Sequence, residues 1–136
     1  MRGALLIEAL VAVLVFSLAA AGVFSVLANA LHASTNASVR ATANALAAST
    51  LARMSIENLA ALSGRYDPDV PGPGYRTLAT MAKRLPGVTD TQNLPLVGVG
   101  DGSSAASRRV SITVFWQLPG EPGPHRAQLA SVVAHR

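Results

Sequence analysis

The chain contains no cysteine, which excludes a disulfide framework and any thiol chemistry. From Ala4 to Leu62 there is no proline, and Gly22 is the only glycine. That interval therefore lacks the residues that most often interrupt a helix. Charge is missing as well, because after Glu8 the next charged side chain is Arg40. The chain also lacks a Gly-Lys-Ser/Thr phosphate loop, and the glycines of Gly98–Ser104 do not have dinucleotide-fingerprint spacing, so nucleotide binding has no support. The three histidines, His32, His125 and His135, do not stand at metal-ligand spacing. No metal, cofactor or enzymatic constellation is expected.

What is present is a long oily helix with one acid near its start. Crossing a hydrocarbon core about 30 Å thick takes roughly 20 predominantly apolar residues. Ala9 to Leu31 meets that need, with Ser17, Ser25 and Asn29 as its only polar interruptions. A carboxylate in such a segment costs about 2.5 to 3.5 kcal/mol near the membrane centre and less towards an end, so it calls for a partner or a role. Glu8 is that carboxylate.

The order Gly3, Ala4, Leu5-Leu6-Ile7, Glu8 and then a long apolar helix resembles the class III signal of type IV prepilins and pseudopilins. The resemblance implies that prepilin peptidase cuts between Gly3 and Ala4, that the new amine of Ala4 is methylated, and that Glu8 becomes the fifth residue of the mature subunit. It further implies that Glu8 pairs in the assembly with the N-terminal ammonium of a neighbour. A buried carboxylate and ammonium are tolerable together in a way that neither is alone. Two features depart from the family pattern. Ala4 stands where phenylalanine is usual, and Met1-Arg2-Gly3 is a shorter leader than most.

The competing reading of the same segment is a secretory signal peptide, since Ala28-Asn29-Ala30 has the form of its cleavage site. Such a peptide has an apolar region of about 7 to 15 residues behind a charged start. The apolar run here is longer and carries Glu8, which favours the prepilin reading. The positive charge of Arg2 and the Met1 amine holds the N-terminus in the cytoplasm and sends the head to the periplasm. The absence of cysteine is compatible with that compartment.

One helix over Ala4–Leu62 would be roughly 90 Å long at 1.5 Å per residue, a stalk rather than an element of a compact domain. Within it Gly22 costs about 1 kcal/mol relative to alanine and reads as a small residue at a helix contact, or a point where the helix yields during packing. Beyond the span, Val39, Ala43, Leu46, Ala47, Leu51, Met54 and Leu62 form one apolar stripe at helical spacing. Ser63-Gly64 is the expected stop.

Tyr66–Tyr75, with three prolines and two glycines, is expected as a loop in which Asp67 and Asp69 serve a solvated turn rather than a calcium site. A short amphipathic helix is expected over Thr77–Leu85, ended by Pro86-Gly87, then an edge strand over Leu94–Val99 and a flexible loop over Gly98–Ser104. Val110, Ile112, Val114 and Trp116 alternate with Ser111, Thr113, Phe115 and Gln117, so Arg109–Gln117 is the clearest strand. After a loop over Leu118–Pro124, Ala127–Ala134 returns as its antiparallel partner. Leu46, Leu51, Met54 and Trp116 are the residues expected to pack head on helix.

The expected class is α+β and pilin-like. Residues 1–3 are the leader, 4–31 the transmembrane and assembly helix, 32–62 its amphipathic continuation, and 63–136 a periplasmic head with a short helix and antiparallel strands. The element order, Ser17 and Gly22 in the apolar helix, the Leu85-Pro86-Gly87 helix end and the strand ending Trp116-Gln117 resemble minor pilins of the PilV type. That resemblance implies a single-pass inner-membrane subunit that joins a type IV pilus or its priming complex. Its partners would be prepilin peptidase, other major and minor pilin subunits and the inner-membrane assembly platform. The alternatives in the same class are a minor pseudopilin of a type II secretion system and a DNA-uptake pilin.

The net charge of +4 keeps nucleic acid under consideration. Ser63–Arg136 holds eight basic and five acidic residues, and the only adjacent basic pairs are Lys83-Arg84 and Arg108-Arg109. Scattered charge of this kind is not a phosphate-binding stripe, and nucleic acid is not an expected partner. If DNA were one, Arg108 and Arg109 would be the residues to hold it.

Overall fold

The computed structural model describes residues 2–104 and 106–134, with side chains from residue 5 onward. Its elements in order are α1 (Arg2–Met54), α2 (Leu59–Tyr66), α3 (Pro73–Ala82), β1 (Leu96–Asp101), β2 (Ser107–Trp116) and β3 (His125–Ala134). The chain divides into two compact units, Met1–Ala37 and Ser38–Arg136.

The first unit is helix alone. Its leucines, valines and phenylalanines are exposed, from Leu5 at 67% to Leu31 at 61%. The hydroxyl of Ser17 donates to the Val13 carbonyl at 2.7 Å, which satisfies a polar group that hydrocarbon would leave unpaired. Helix α1 is long and apolar enough to cross a membrane, and none of its apolar window is buried in the protein.

In the second unit a three-stranded antiparallel sheet, in the order β1-β2-β3, carries the core. Val110, Ile112, Val114 and Trp116 point to one face of β2 and are buried, while the residues between them are partly exposed. The predicted alternation is therefore the observed one. Val97, Ala127 and Val133 extend that face across the neighbouring strands. Ala43, Ala47 and Met54 are fully buried on α1, with Val39, Leu46 and Leu51 partly buried against the same cluster. Of the four residues expected at this contact, Met54 and Trp116 lie at its centre and Leu46 and Leu51 at its border.

The expected single helix to Leu62 is corrected: α1 ends at Met54. Tight turns close it, with Ile56 N–H donating to Arg53 O at 3.2 Å and Glu57 N–H to Met54 O at 3.3 Å. Asn58 then caps α2, its side-chain oxygen accepting from the Ala60 N–H at 3.0 Å. An asparagine N-cap starts a helix as firmly as a glycine ends one. Leu62 and Tyr66 on α2 reach the core as a result.

Gly64, expected as a helix stop, lies inside α2, which continues to Tyr66. The loop is accordingly shorter than Tyr66–Tyr75. Gly72 precedes α3 and Pro73 opens it, the position where proline's missing N–H and fixed φ suit a helix. Helix α3 thus begins before Thr77 and closes at Ala82, while Leu85 is buried in the turn beyond. Gly98, Gly100 and Asp101, expected in a loop, belong to β1 and pair with Ser111, Arg109 and Arg108. Pro95 falls just before that strand.

Gly87 has φ of +72°, and a Cβ there would lie 2.7 Å from both Cβ and O of Gln117. Replacing Gly87 with alanine is expected to lower stability by about 1–3 kcal/mol, because a left-handed conformation and a backbone clash coincide. The midpoint of thermal unfolding of the full chain in detergent checks this; an unchanged midpoint contradicts it.

Candidate functional site

Gly3, Ala4 and Glu8, the residues for which the sequence raises the expectation of processing and assembly, all fall in the first turns of α1. Glu8 sits there with Leu5, Leu6, Ile7, Leu10 and Val11 exposed around it, each between 56% and 67%. Among the described residues Glu8 has no ion-pair partner. Gly3 and Ala4 belong to the helical backbone of α1, and the side chain of Ala4 lies outside what the structure describes. Helical continuity from Arg2 places Glu8 on the helix itself, so its carboxylate is carried by the element that would enter the membrane. An acid on an oily helix can accept a cation from outside the chain, and the pairing becomes stronger as the surroundings become drier.

No known protein family, curated protein or solved structure matches this chain.

The basic pair considered for DNA is divided by the sheet. Successive strand residues point to opposite faces, and Arg108 is tied to Asp101 at 2.8 Å while Arg109 lies on the other side of β2. The other adjacent pair is partly neutralised too, since Lys83 pairs with Asp90. Asp67 uses Oδ1 to accept the N–H groups of Asp69 at 2.8 Å and Val70 at 3.3 Å. This is the hydrogen bonding of an Asx turn. No group of three or more metal-ligating side chains occurs among the described residues. His32 is exposed on α1, and His135 lies outside the described residues. His125 accepts a different part: its ring stacks on Trp116 with centroids 5.6 Å apart and an interplanar angle of 22°, and Nε2 meets Glu121 Oε2 at 2.6 Å. It closes the loop between β2 and β3.

Sequence reasoning missed Glu57. A single helix over Ala4–Leu62 would leave it in a helix interior, and the turn at Ser55–Asn58 instead aims it into a cavity of about 150 Å³ between α1, α2 and α3. Glu57 Oε2 is 3.3 Å from Arg65 Nε without hydrogen-bond geometry, and Oε1 accepts from the Tyr66 hydroxyl at 3.3 Å. The capping asparagine was the signal that would have found it.

Two tyrosines make the head sensitive to alkali. Burial pushes the Tyr66 phenol up, and the charge and hydrogen bond of Glu57 add to this. Burial also raises Tyr75, with Asp69 contributing, and the Tyr75 hydroxyl donates to the Pro95 carbonyl at 3.0 Å. Both folded values lie above the unfolded value near 10. Their stabilising contribution is therefore complete below about pH 10 and is lost as pH rises through the folded values. Unfolding free energy should fall in that alkaline window. Replacing both residues with phenylalanine is expected to flatten the fall while costing about 1–2 kcal/mol at neutral pH. An equally steep fall in the double variant would show that other groups control it.

Proposed function

We propose that this chain is a prepilin-like structural subunit of the inner membrane, of the minor pilin type. It is processed between Gly3 and Ala4, methylated on Ala4, and drawn by its helix into a type IV pilus or the complex that primes one. The observation that carries the reading is the lone carboxylate of Glu8 on an otherwise exposed apolar helix that follows a glycine. An unpaired acid there is unfavourable in hydrocarbon, and a neighbour's new ammonium would neutralise it. The layout gives further support, since an α+β head with a three-stranded antiparallel sheet buries the second part of the same helix.

In this reading the N-terminus is cytoplasmic and the head periplasmic, as the positive charge at the start favours. The chain acts by packing rather than by catalysis. Its partners are prepilin peptidase, the assembly platform, and other pilin subunits whose helices lie beside its own. A minor pseudopilin of a type II secretion system would use the same residues in the same way. The DNA-uptake reading rests on the basic head alone, and Arg108, which it would use with Arg109, is paired with Asp101 on the opposite side of β2 from Arg109.

The test is the intact mass and N-terminal sequence of the protein extracted from membranes that contain prepilin peptidase. The expected product begins at Ala4, with a methyl group on its amine. Cleavage after Ala30 would instead establish a secretory signal peptide. A chain that retains Met1-Arg2-Gly3 and dissolves as a monomer without detergent would end the proposal.

A further inference from the structure

Successive strand residues face opposite sides of a sheet, so the register also defines the side turned away from the buried core. On that side Arg109 lies beside Val132 at one end of β2, and Phe115 lies beside Arg126 at the other. Between them the row Gly98, Ser111 and Ala130 carries no bulky side chain. A Cβ at Gly98 would lie 2.7 Å from Ser111 Oγ, so this row is low because the two strands need it to be. All of these residues are exposed or partly exposed, and no helix among the described residues covers them.

The charge on this face has one sign. Arg109 and Arg126 have no ion pair among the described residues, whereas Asp101 and Glu121, the acids nearest to them in sequence, are held by Arg108 and His125. No strand residue on this side is acidic. The length of β2 from Arg109 to Phe115, at about 3.4 Å per residue, puts the two arginine positions about 20 Å apart. The face also holds Leu96 and Val132, 53% and 54% exposed, two of the four exposed large apolar side chains described in the second unit. Apolar and aromatic groups flanked by arginine are what protein interfaces enrich. Two isolated cations fall short of the stripe that nucleic acid requires. A second copy laid face to face by twofold symmetry would bring arginine to a surface with no acid.

We propose that this open face of the sheet docks an acidic amphipathic helix of another protein, which lays apolar side chains over Leu96, Ser111 and Val132 and brings one carboxylate to Arg109 and one to Arg126. A helix is the element that covers an open sheet face in layered folds, and α1 already does so on the core side of this sheet. At 1.5 Å per residue, carboxylates about 14 residues apart span the same length, and that separation returns them to one side of the helix. The two charge contacts set its direction and register and speed its approach. Docking here uses none of Gly3, Ala4 and Glu8, so it and N-terminal processing can fail separately.

The full-length chain in detergent is titrated with a labelled, amidated helical peptide that carries two glutamates at that separation and leucines between them on the same side. Binding is followed by fluorescence anisotropy and by the amide resonances of Ser111 and Gln128. The expected result is saturable binding that shifts both resonances and weakens as salt is added. Arg109→Gln and Arg126→Gln should each raise Kd about tenfold, a change of one decade, and Leu96→Ser should act in the same direction. All three side chains are exposed, so the melting temperature should not fall. A peptide with lysines in place of the glutamates should bind about tenfold more weakly or not at all. Absence of binding, equal binding of the lysine peptide, or an unchanged Kd in the two arginine variants overturns the proposal. Tighter binding of oligothymidylate that shifts the same resonances assigns the face to nucleic acid, and overturns it also.

Discussion

Replacing Trp116 with alanine is expected to lower the stability of the head by about 3–5 kcal/mol, the usual range for removing a buried large aromatic side chain. Trp116 is 2% exposed at the end of β2, in one cluster with Met54 and Leu62, which are fully buried. Its ring also stacks on His125, opposite it on β3. One substitution therefore opens a cavity beneath the helices and removes the contact that fixes the β2–β3 connection. Small domains have net stabilities of about 5–15 kcal/mol, so this loss takes away a large part of the total. For a head of this size it corresponds to a fall of roughly 15–30 °C in melting temperature.

Because the 53-residue helix α1 dominates the far-ultraviolet signal, hydrogen exchange of the β2 and β3 amides is the measurement to use. Val70, 74% exposed, is the control, and its replacement by alanine should stay within about 0.5 kcal/mol. Equal effects at Trp116 and Val70 would contradict the core described here. Trp116→Phe should fall between them, since it keeps an aromatic ring while leaving part of the volume empty.

The alternation along β2 was legible because one face of that strand is buried and the other is not, so every second residue reports its side directly. The stripe on α1 was legible for the same reason at helical period: Ala43, Ala47 and Met54 are fully buried, and Leu46 and Leu51 flank them. The helix break was harder to read. Nothing at Ser55–Asn58 is a strong breaker, and alanine and leucine resume at once. Only the capping geometry of Asn58 shows that a new helix begins there. Composition misled at Gly98–Asp101, where glycines suited to a loop are held extended by pairing with Ser111, Val110, Arg109 and Arg108. Tertiary pairing outweighs local preference in strands more readily than in helices. An open groove lined by Ile56, Asn58, Val132 and Ala134 joins residues far apart in the chain, so no local pattern announces it. Glu8 is the opposite case, since an acid in an oily run is visible without any structure.

Under the proposed function, Glu8→Ala is expected to leave removal of Met1–Gly3 largely intact and to reduce incorporation into filaments by two orders of magnitude or more. The peptidase acts on the Gly3–Ala4 bond, while Glu8 acts only once a neighbour presents its amine. Removing one partner of a buried ion pair costs about 3–5 kcal/mol, because the other charge is left uncompensated. Each 1.4 kcal/mol is a factor of ten. Glu8→Gln should be nearly as defective, since it keeps the shape and hydrogen bonding but not the charge. Glu8→Asp should recover part of the loss, limited by its shorter reach. Immunoblots of sheared filaments and of the membrane fraction read both steps in the same cells. Normal amounts of the alanine variant in filaments would remove the pairing role. Loss of processing together with incorporation would move Glu8 from assembly to recognition by the peptidase.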